Sequence, residues 1–437
     1  MSRPAASGSV AAGAPHWRMT NKLPLWAREL LERNPAGAAP TPEDPMPAWL
    51  EAELARVPLW ARIRGTDDIR QHHPYLLIED VRSQPDLMRH VLELRSELAA
   101  LAHRLIEQGI RHLVFTGCGS AFHGAQFGSF VCRQWTGWTT ECHESLEFTN
   151  YWAQVHEPTA LILQSATGAS IETLDAARHA ADLGVLTVAM TNTQGSVLEE
   201  LCDESICFPT GQRCGPDVSV LTTRLLLLYL LALEVGVATG TLSAHDADEL
   251  GHAIGQLPDA AAQFLQEEDL NVSQIANALK DQRALMVVGG GPNWFSACEG
   301  ALKVEEESSL LCKVYRPAEY THNAIPLLSD EVSTVVIAPP GKAYARLHDV
   351  VRTARAARSP SLALVVEGDE AIAPDATFVI AVPEPLGEML MPPLAAIAFQ
   401  LLGYYLGAER GYNPDTLRTD DLVHTRAWLT AFPFGSH

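Results

Sequence analysis

The chain has 437 residues, 47% of them hydrophobic and 19% charged, which is the balance of a folded protein too long for one ordinary core, so two or more domains are expected. Its 31 Lys and Arg against 53 Asp and Glu leave a net charge of −22. That excess excludes nucleic acid as an expected partner, because phosphate neutralisation needs clustered bases, whereas a phosphorylated small molecule can still be held by backbone amides.

Residues 1 to about 20 are small, polar and Pro-containing, without the apolar run of a secretory signal, and are read as disordered. Between Leu23 and Arg64, "LPLWARELLER" and "MPAWLEAELARVPLWARI" have amphipathic spacing around the linker "NPAGAAPTPEDP" and predict short surface helices. A helical lead-in over "HPYLLIEDVRSQPDLMRHVLELRSELAALAHRLIEQG" follows, with a break expected near Pro85.

Strands then alternate with helices. "HLVFTGCGS" is strand and turn, "AFHGAQFGSFVCRQW" helix, "TTECHESLEF" strand and "TALILQS" strand. "SIETLDAARHAADLG" is helix, "VLTVAMTN" strand, "SVLEELC" helix and "ESICFPT" strand, before an apolar helix at 221–237. That helix carries an Arg near its start and falls short of a clean membrane-spanning run, so a core helix is expected and no membrane partner. After the connecting segment "LPDAAAQFLQEEDLNVSQIANALKDQ" a second series opens with "ALMVVGGGP" and repeats the order of elements as far as "PLAAIAFQLLGYYLGAERG". The layout predicts an α/β fold, two parallel-sheet sandwiches in tandem arising by internal duplication. Eight cysteines are scattered without C-x-x-C pairs, which predicts reduced thiols, a cytoplasmic protein and no metal site.

The halves differ at one turn. After its third strand the first half has "SATGAS" (165–170), whereas the second has "APPGKA". Three hydroxyls at the start of a helix suit an anion, through the free amides and the positive end of the helix dipole. The same residues also suit plain helix capping. "GCGSAF" lacks the third glycine of a dinucleotide fingerprint and no Walker lysine follows it, so NAD and nucleoside triphosphates are not expected.

"GCGSAFHG", "SATGASIETLDAARHAADLGV", "TVAMTNTQGS", "VLTTR" and "CEGALKVEEESS" together resemble tandem sugar-isomerase (SIS) domain proteins. The likeness is greatest to the isomerase half of glucosamine-6-phosphate synthase and its deaminase and deglycase relatives, and it covers roughly residues 75 to 420. The expected divisions are an N-terminal extension with short helices over 1–72, a phosphosugar-binding SIS domain over 73–255, a second SIS domain with the catalytic helix over 256–410, and a tail over 411–437. It places substrate contacts on Gly119, Ser120, Ser165, Thr167, Gly168, Ser170 and Thr222. Its catalytic lysine falls on Lys303, its proton-shuttling glutamate on Glu306 and its ring-opening histidine on His322. In the family that histidine reaches the neighbouring subunit, which implies a homodimer with shared sites. Taken alone, the run Glu305–Glu307 would read as a solvated acidic face.

Three departures narrow the reading. Residue 2 is Ser, not a Cys nucleophile, so no glutamine-hydrolysing domain is expected. Ala166 and Ala169 replace a Gln and a Glu of the turn. The tail offers Arg418, Leu422 and His424 but not the family's lysine. The expected function is a cofactor-free isomerase or deaminase of a phosphorylated amino sugar or ketosamine. The alternative is a non-catalytic sugar-phosphate sensor; fold alone does not decide between them.

Overall fold

The computed structural model describes residues 70, 72–152, 158–210, 214–383 and 387–431; the helices expected between Leu23 and Arg64 lie outside them. The chain divides into two units, one of Arg70–Leu417 and one of Met1–Ile69 with Arg418–His437.

The larger unit begins with helix α1 (Leu76–Glu93) and helix α2 (Arg95–Glu107). Pro85 lies inside α1, and the break comes at Leu94 instead. A proline leaves the carbonyl four residues earlier without its amide partner. Here that carbonyl, of Val81, accepts a hydrogen bond from Gln84 Nε2 at 3.2 Å, so the helix runs on.

The first sheet has five parallel strands, β1 (His112–Gly117), β2 (Thr139–Glu144), β3 (Thr159–Ser165), β4 (Leu186–Thr191) and β5 (Glu204–Cys207), in the order 2-1-3-4-5. Between them run α3 (Ser120–Trp135), α4 (Ser145–Tyr151), α5 (Ile171–Asp182) and α6 (Val197–Leu201). The strand expected to run on through Phe148 stops at Glu144. The Glu144 carboxylate accepts from the amides of Leu146 and Glu147, an N-cap that turns the chain into α4.

Helix α7 (Ser219–Thr239) is apolar all round and buried within the fold. The segment from Leu257 to Gln282, expected as a connection, belongs almost wholly to α8 (Ala244–Leu279), a 36-residue helix that contains the position where the two expected domains join.

The second sheet repeats the first. Strands β6 (Ala284–Val288), β7 (Cys312–Tyr315), β8 (Val332–Ile337), β9 (Ser361–Val366) and β10 (Phe378–Val382) are all parallel in the order 7-6-8-9-10. Helices α9 (Asn293–Ser308), α10 (Pro317–Asn323), α11 (Tyr344–Ala356) and α12 (Pro392–Glu409) accompany them.

Alternation along the strands decides the layers. Leu113, Phe115, Ile162 and Val188 of the first sheet join Leu285, Val287, Val335 and Leu364 of the second in one continuous core with α7, α8 and α12. The intervening residues, such as Val114 and Leu161 or Met286 and Val336, face separate outer layers. The halves therefore share a central helical layer, and α3 of one meets α9 of the other there.

In the smaller unit, α13 (Leu422–Ala431) follows a turn in which Asp421 accepts from Arg418 at 3.2 Å and pairs with His424 Nδ1 at 2.5 Å.

Candidate active site

The hydroxyl-rich turn joins β3 to α5. Ser165 is buried, and its Oγ accepts from the Gly168 amide at 3.1 Å and lies 3.3 Å from Ser170 Oγ. Thr167 Oγ1 accepts from the Ala169 amide at 3.1 Å. Gly168 has φ +62°, and a Cβ there would stand 2.2 Å from Ser196 Oγ, so only glycine fits. The Ala166 carbonyl accepts from the Asn192 amide and the hydroxyls of Thr191 and Thr193, which ties the turn to the end of β4. Ser170 is the N-cap residue of α5, yet its side chain makes no capping hydrogen bond. Plain capping does not account for it. Ser170 is half-buried and, with the first amides of α5, stands at the carboxyl edge of the sheet.

Gly119 and Ser120 sit at the neighbouring turn. Gly119 takes φ 56° as the N-cap of α3 and is exposed. Ser120 turns toward the second half, where its hydroxyl helps stabilise the Glu299 carboxylate. Thr222 is not at this site. It is wholly buried in α7, donating to Gln84 Oε1 at 2.6 Å, and Gln84 in turn donates to Gln400 Oε1 at 2.7 Å. That network pins α7 between α1 and α12.

On α9, Lys303 and Glu299 are sealed, with side chains 1% exposed, whereas Glu306 retains 26%. Lys303 Nζ lies 2.7 Å from Glu306 Oε2 and 3.6 Å from Glu299 Oε1. Spacings of three and four residues put all three on one helix face. From the first half, His123 Nδ1 lies 2.8 Å from Glu299 Oε2. The result is an ionic chain from His123 and Ser120 through Glu299 to Lys303 and Glu306, crossing from one half to the other.

Electrostatics fixes the charge states. Burial opposes a charged Lys303, but Glu306, Glu299 and Asp217 outweigh it and hold the ammonium well above its ordinary pKa. Burial likewise works against the Glu299 carboxylate, yet Lys303 and His123 prevail and its pKa is lowered. Asp217 is pushed up to about 6 by burial, with Lys303 and Arg224 pulling the other way. Arg224, fully buried on α7, donates to Asn192 Oδ1 at 3.2 Å and so links this cluster to the hydroxyl-rich turn. Glu305 accepts from the Cys312 amide, and Glu307 is buried, so the acidic run is not a solvated face.

His322 is exposed on α10 and makes no hydrogen bond or ion pair among the described residues; Glu319 binds Asn323 instead. Within one chain it is not brought to Lys303. The sequence motifs do not single out Glu299, His123 or Gln164. Glu299 was legible as the residue one turn before Lys303. Gln164, wholly buried at the end of β3 with both amide atoms unpartnered among the described residues, carries no sequence signal.

The family profile described as "SIS domain" matches residues 107–234 and again 278–410, together more than half the chain. The chain belongs to the SIS domain family. The two matches coincide with the two sheets. The sequence is 30% identical over 351 residues to "Glutamine--fructose-6-phosphate aminotransferase [isomerizing]" of Gloeobacter violaceus, covering 79% of this chain and 57% of that relative. The chain thus spans little more than half the length of the curated relative it matches. Among solved structures, the C-terminal domain of glucosamine-fructose-6-phosphate aminotransferase from Francisella tularensis superposes with a TM-score of 0.72 at 18% identity, covering 79% of this chain and 98% of that one. Tagatose-6-phosphate ketose/aldose isomerase from Escherichia coli gives 0.66 at 18% identity, covering 78% and 94%. At these identities the structures establish the tandem SIS fold.

Proposed function

We propose that this SIS protein moves a proton between C1 and C2 of a phosphorylated sugar, and that its substrate is an amino sugar phosphate or ketosamine phosphate whose amine is released or transferred. The observation that carries the reading is the buried ion chain in which Lys303 is clamped between Glu299 and Glu306, with only Glu306 reaching the surface.

The phosphate would rest in the turn at 165–170, on the Ser170 and Thr167 hydroxyls and the first amides of α5. Lys303, held charged behind Glu306, suits electrostatic stabilisation of the negative charge that develops at the sugar's C1 or C2 oxygen. The same held charge disfavours it as an imine-forming nucleophile, which needs a free amine. Glu306 is then the base that takes the proton from one carbon and returns it to its neighbour. For a 2-amino aldose, transfer from C2 to C1 leaves an imine at C2. Water adds to that imine and expels ammonia, leaving the ketose. The exposed His322 suits ring opening in a second copy of the chain, so the proposed active unit is a dimer.

The test incubates purified protein with 2-amino-2-deoxyhexose 6-phosphates and hexose 6-phosphates in D2O, and follows free ammonia, ketose and deuterium at C1 and C2. Turnover with deuterium incorporation, reduced about 10²- to 10⁴-fold by Glu306→Gln, is expected. Tight phosphosugar binding with neither turnover nor exchange would overturn the enzyme and leave a sensor.

A further inference from the structure

The second half repeats the first half's turn after the opening strand, and there it is filled. Gly119 after β1 and Gly291 after β6 both adopt φ +56°. Gly117 and Gly289, two residues earlier, both lie against the backbone of the residue four further on, Ala121 or Asn293. The turns are conformational twins. Above Gly119, however, nothing among the described residues stands within 4 Å of where a Cβ would be, whereas above Gly291 stands Glu388 Oε1, at 3.1 Å. Gly341 holds the sequence position of Gly168 in the loop after β8, without its positive φ; a Cβ on Gly168 would meet Ser196 Oγ at 2.2 Å, whereas one on Gly341 would meet Glu388 Oε2 at 2.6 Å. That oxygen accepts from the Lys342 amide at 3.2 Å, just ahead of α11. The Glu388 carbonyl accepts from Asn293 Nδ2 at 3.1 Å, which ties the Glu388 loop to the start of α9. One carboxylate therefore bridges both turns, in the crevice between β6 and β8 where a sheet of this strand order receives ligands.

We propose that the second SIS half retains an anion seat of the phosphate class, and that the chain's own Glu388 carboxylate occupies it as a built-in ligand. An internal carboxylate competes at high effective concentration and repels a second anion by like charge, so free phosphate is shut out. The first half, with its crevice open over Gly119, binds the phosphosugar, and the second is left to supply Lys303 and Glu306. This rests on the reading that the first half's turn holds phosphate.

The experiment counts inorganic phosphate bound per chain, by calorimetric titration and ³¹P NMR, for the intact protein, Glu388→Ala and Glu388→Gln. The expected result is a rise from about one phosphate per chain to about two in Glu388→Ala. Glu388→Gln keeps the shape and loses the charge, and should gain the same second site at higher phosphate concentration. An unchanged count in both variants, with melting temperatures matching the parent, overturns the proposal. No phosphate on the parent protein would instead contradict the assignment of the first half's turn, and a gain of one site in Glu388→Ala would still support the Glu388 seat.

Discussion

Glu299 lies where the two halves meet chemically. Its carboxylate faces Lys303 on its own helix and receives His123 from α3. As a positioning residue it helps hold the ammonium charged and aimed. Glu299→Gln removes one of the charges that raise the Lys303 pKa. The expected outcome is a 10- to 100-fold fall in kcat with KM little changed, and an alkaline limb of the pH–rate profile displaced to lower pH. A fall in kcat with the alkaline limb unmoved would assign Glu299 a packing role only. The family resemblance, not the local pattern, singles out Lys303 and Glu306, and their spacing of three lets them pair at 2.7 Å on one helix face. His123 is not legible, since its partner is 176 residues away and periodicity reports only local neighbours. Thr222 was misplaced for a related reason. A run of hydroxyls in "VLTTR" does not tell which face of α7 meets the crevice, and that face is decided by Gln84 and Gln400 from distant helices.

Helix α9 packs against α12 so closely that a Cβ on Gly407 would stand 2.3 Å from the Glu307 carbonyl oxygen. Glu307 is buried in that contact, and neither carboxyl oxygen finds a partner among the described residues. Burial pushes its pKa well above the ordinary value, Glu306, Glu299 and Asp415 add to the rise, and Lys303 opposes it. A raised folded-state pKa gives stability that is fully present below the unfolded value and is lost as pH rises through the folded one. Glu307→Leu should therefore melt higher than the parent, by a margin that widens from pH 5 to pH 9. A constant margin would show that the fold leaves the Glu307 pKa at its unfolded value and would contradict the shift. Element boundaries were otherwise readable wherever apolar period and turn residues agreed, as at β3 and α5. They were misread where one side chain overrode propensity. Gln84 carries α1 past Pro85, and Glu144 ends β2. The segment after α7 contains Pro258 and reads as a connection, but Ile254, Leu257, Ala261 and Phe264 pack into the shared core and keep α8 continuous.

At the scale of the whole chain, duplication was visible in the order of elements, and the matching strand orders confirm it. The sequence also showed that the halves had diverged at the turn after the third strand. It did not show that the second crevice is filled, because Glu388 lies beyond β10, far along the chain from both turns it bridges. In the proposed reaction one ligand seat in the first half serves a proton-moving helix in the second. The measurement that tests this most directly is a crystal structure with a hexose 6-phosphate bound. Phosphate on the turn at 165–170, with C1 and C2 directed at the Glu306 carboxylate and the Lys303 ammonium, is the predicted result. A phosphate seated elsewhere, or reactive carbons turned away from α9, would contradict it.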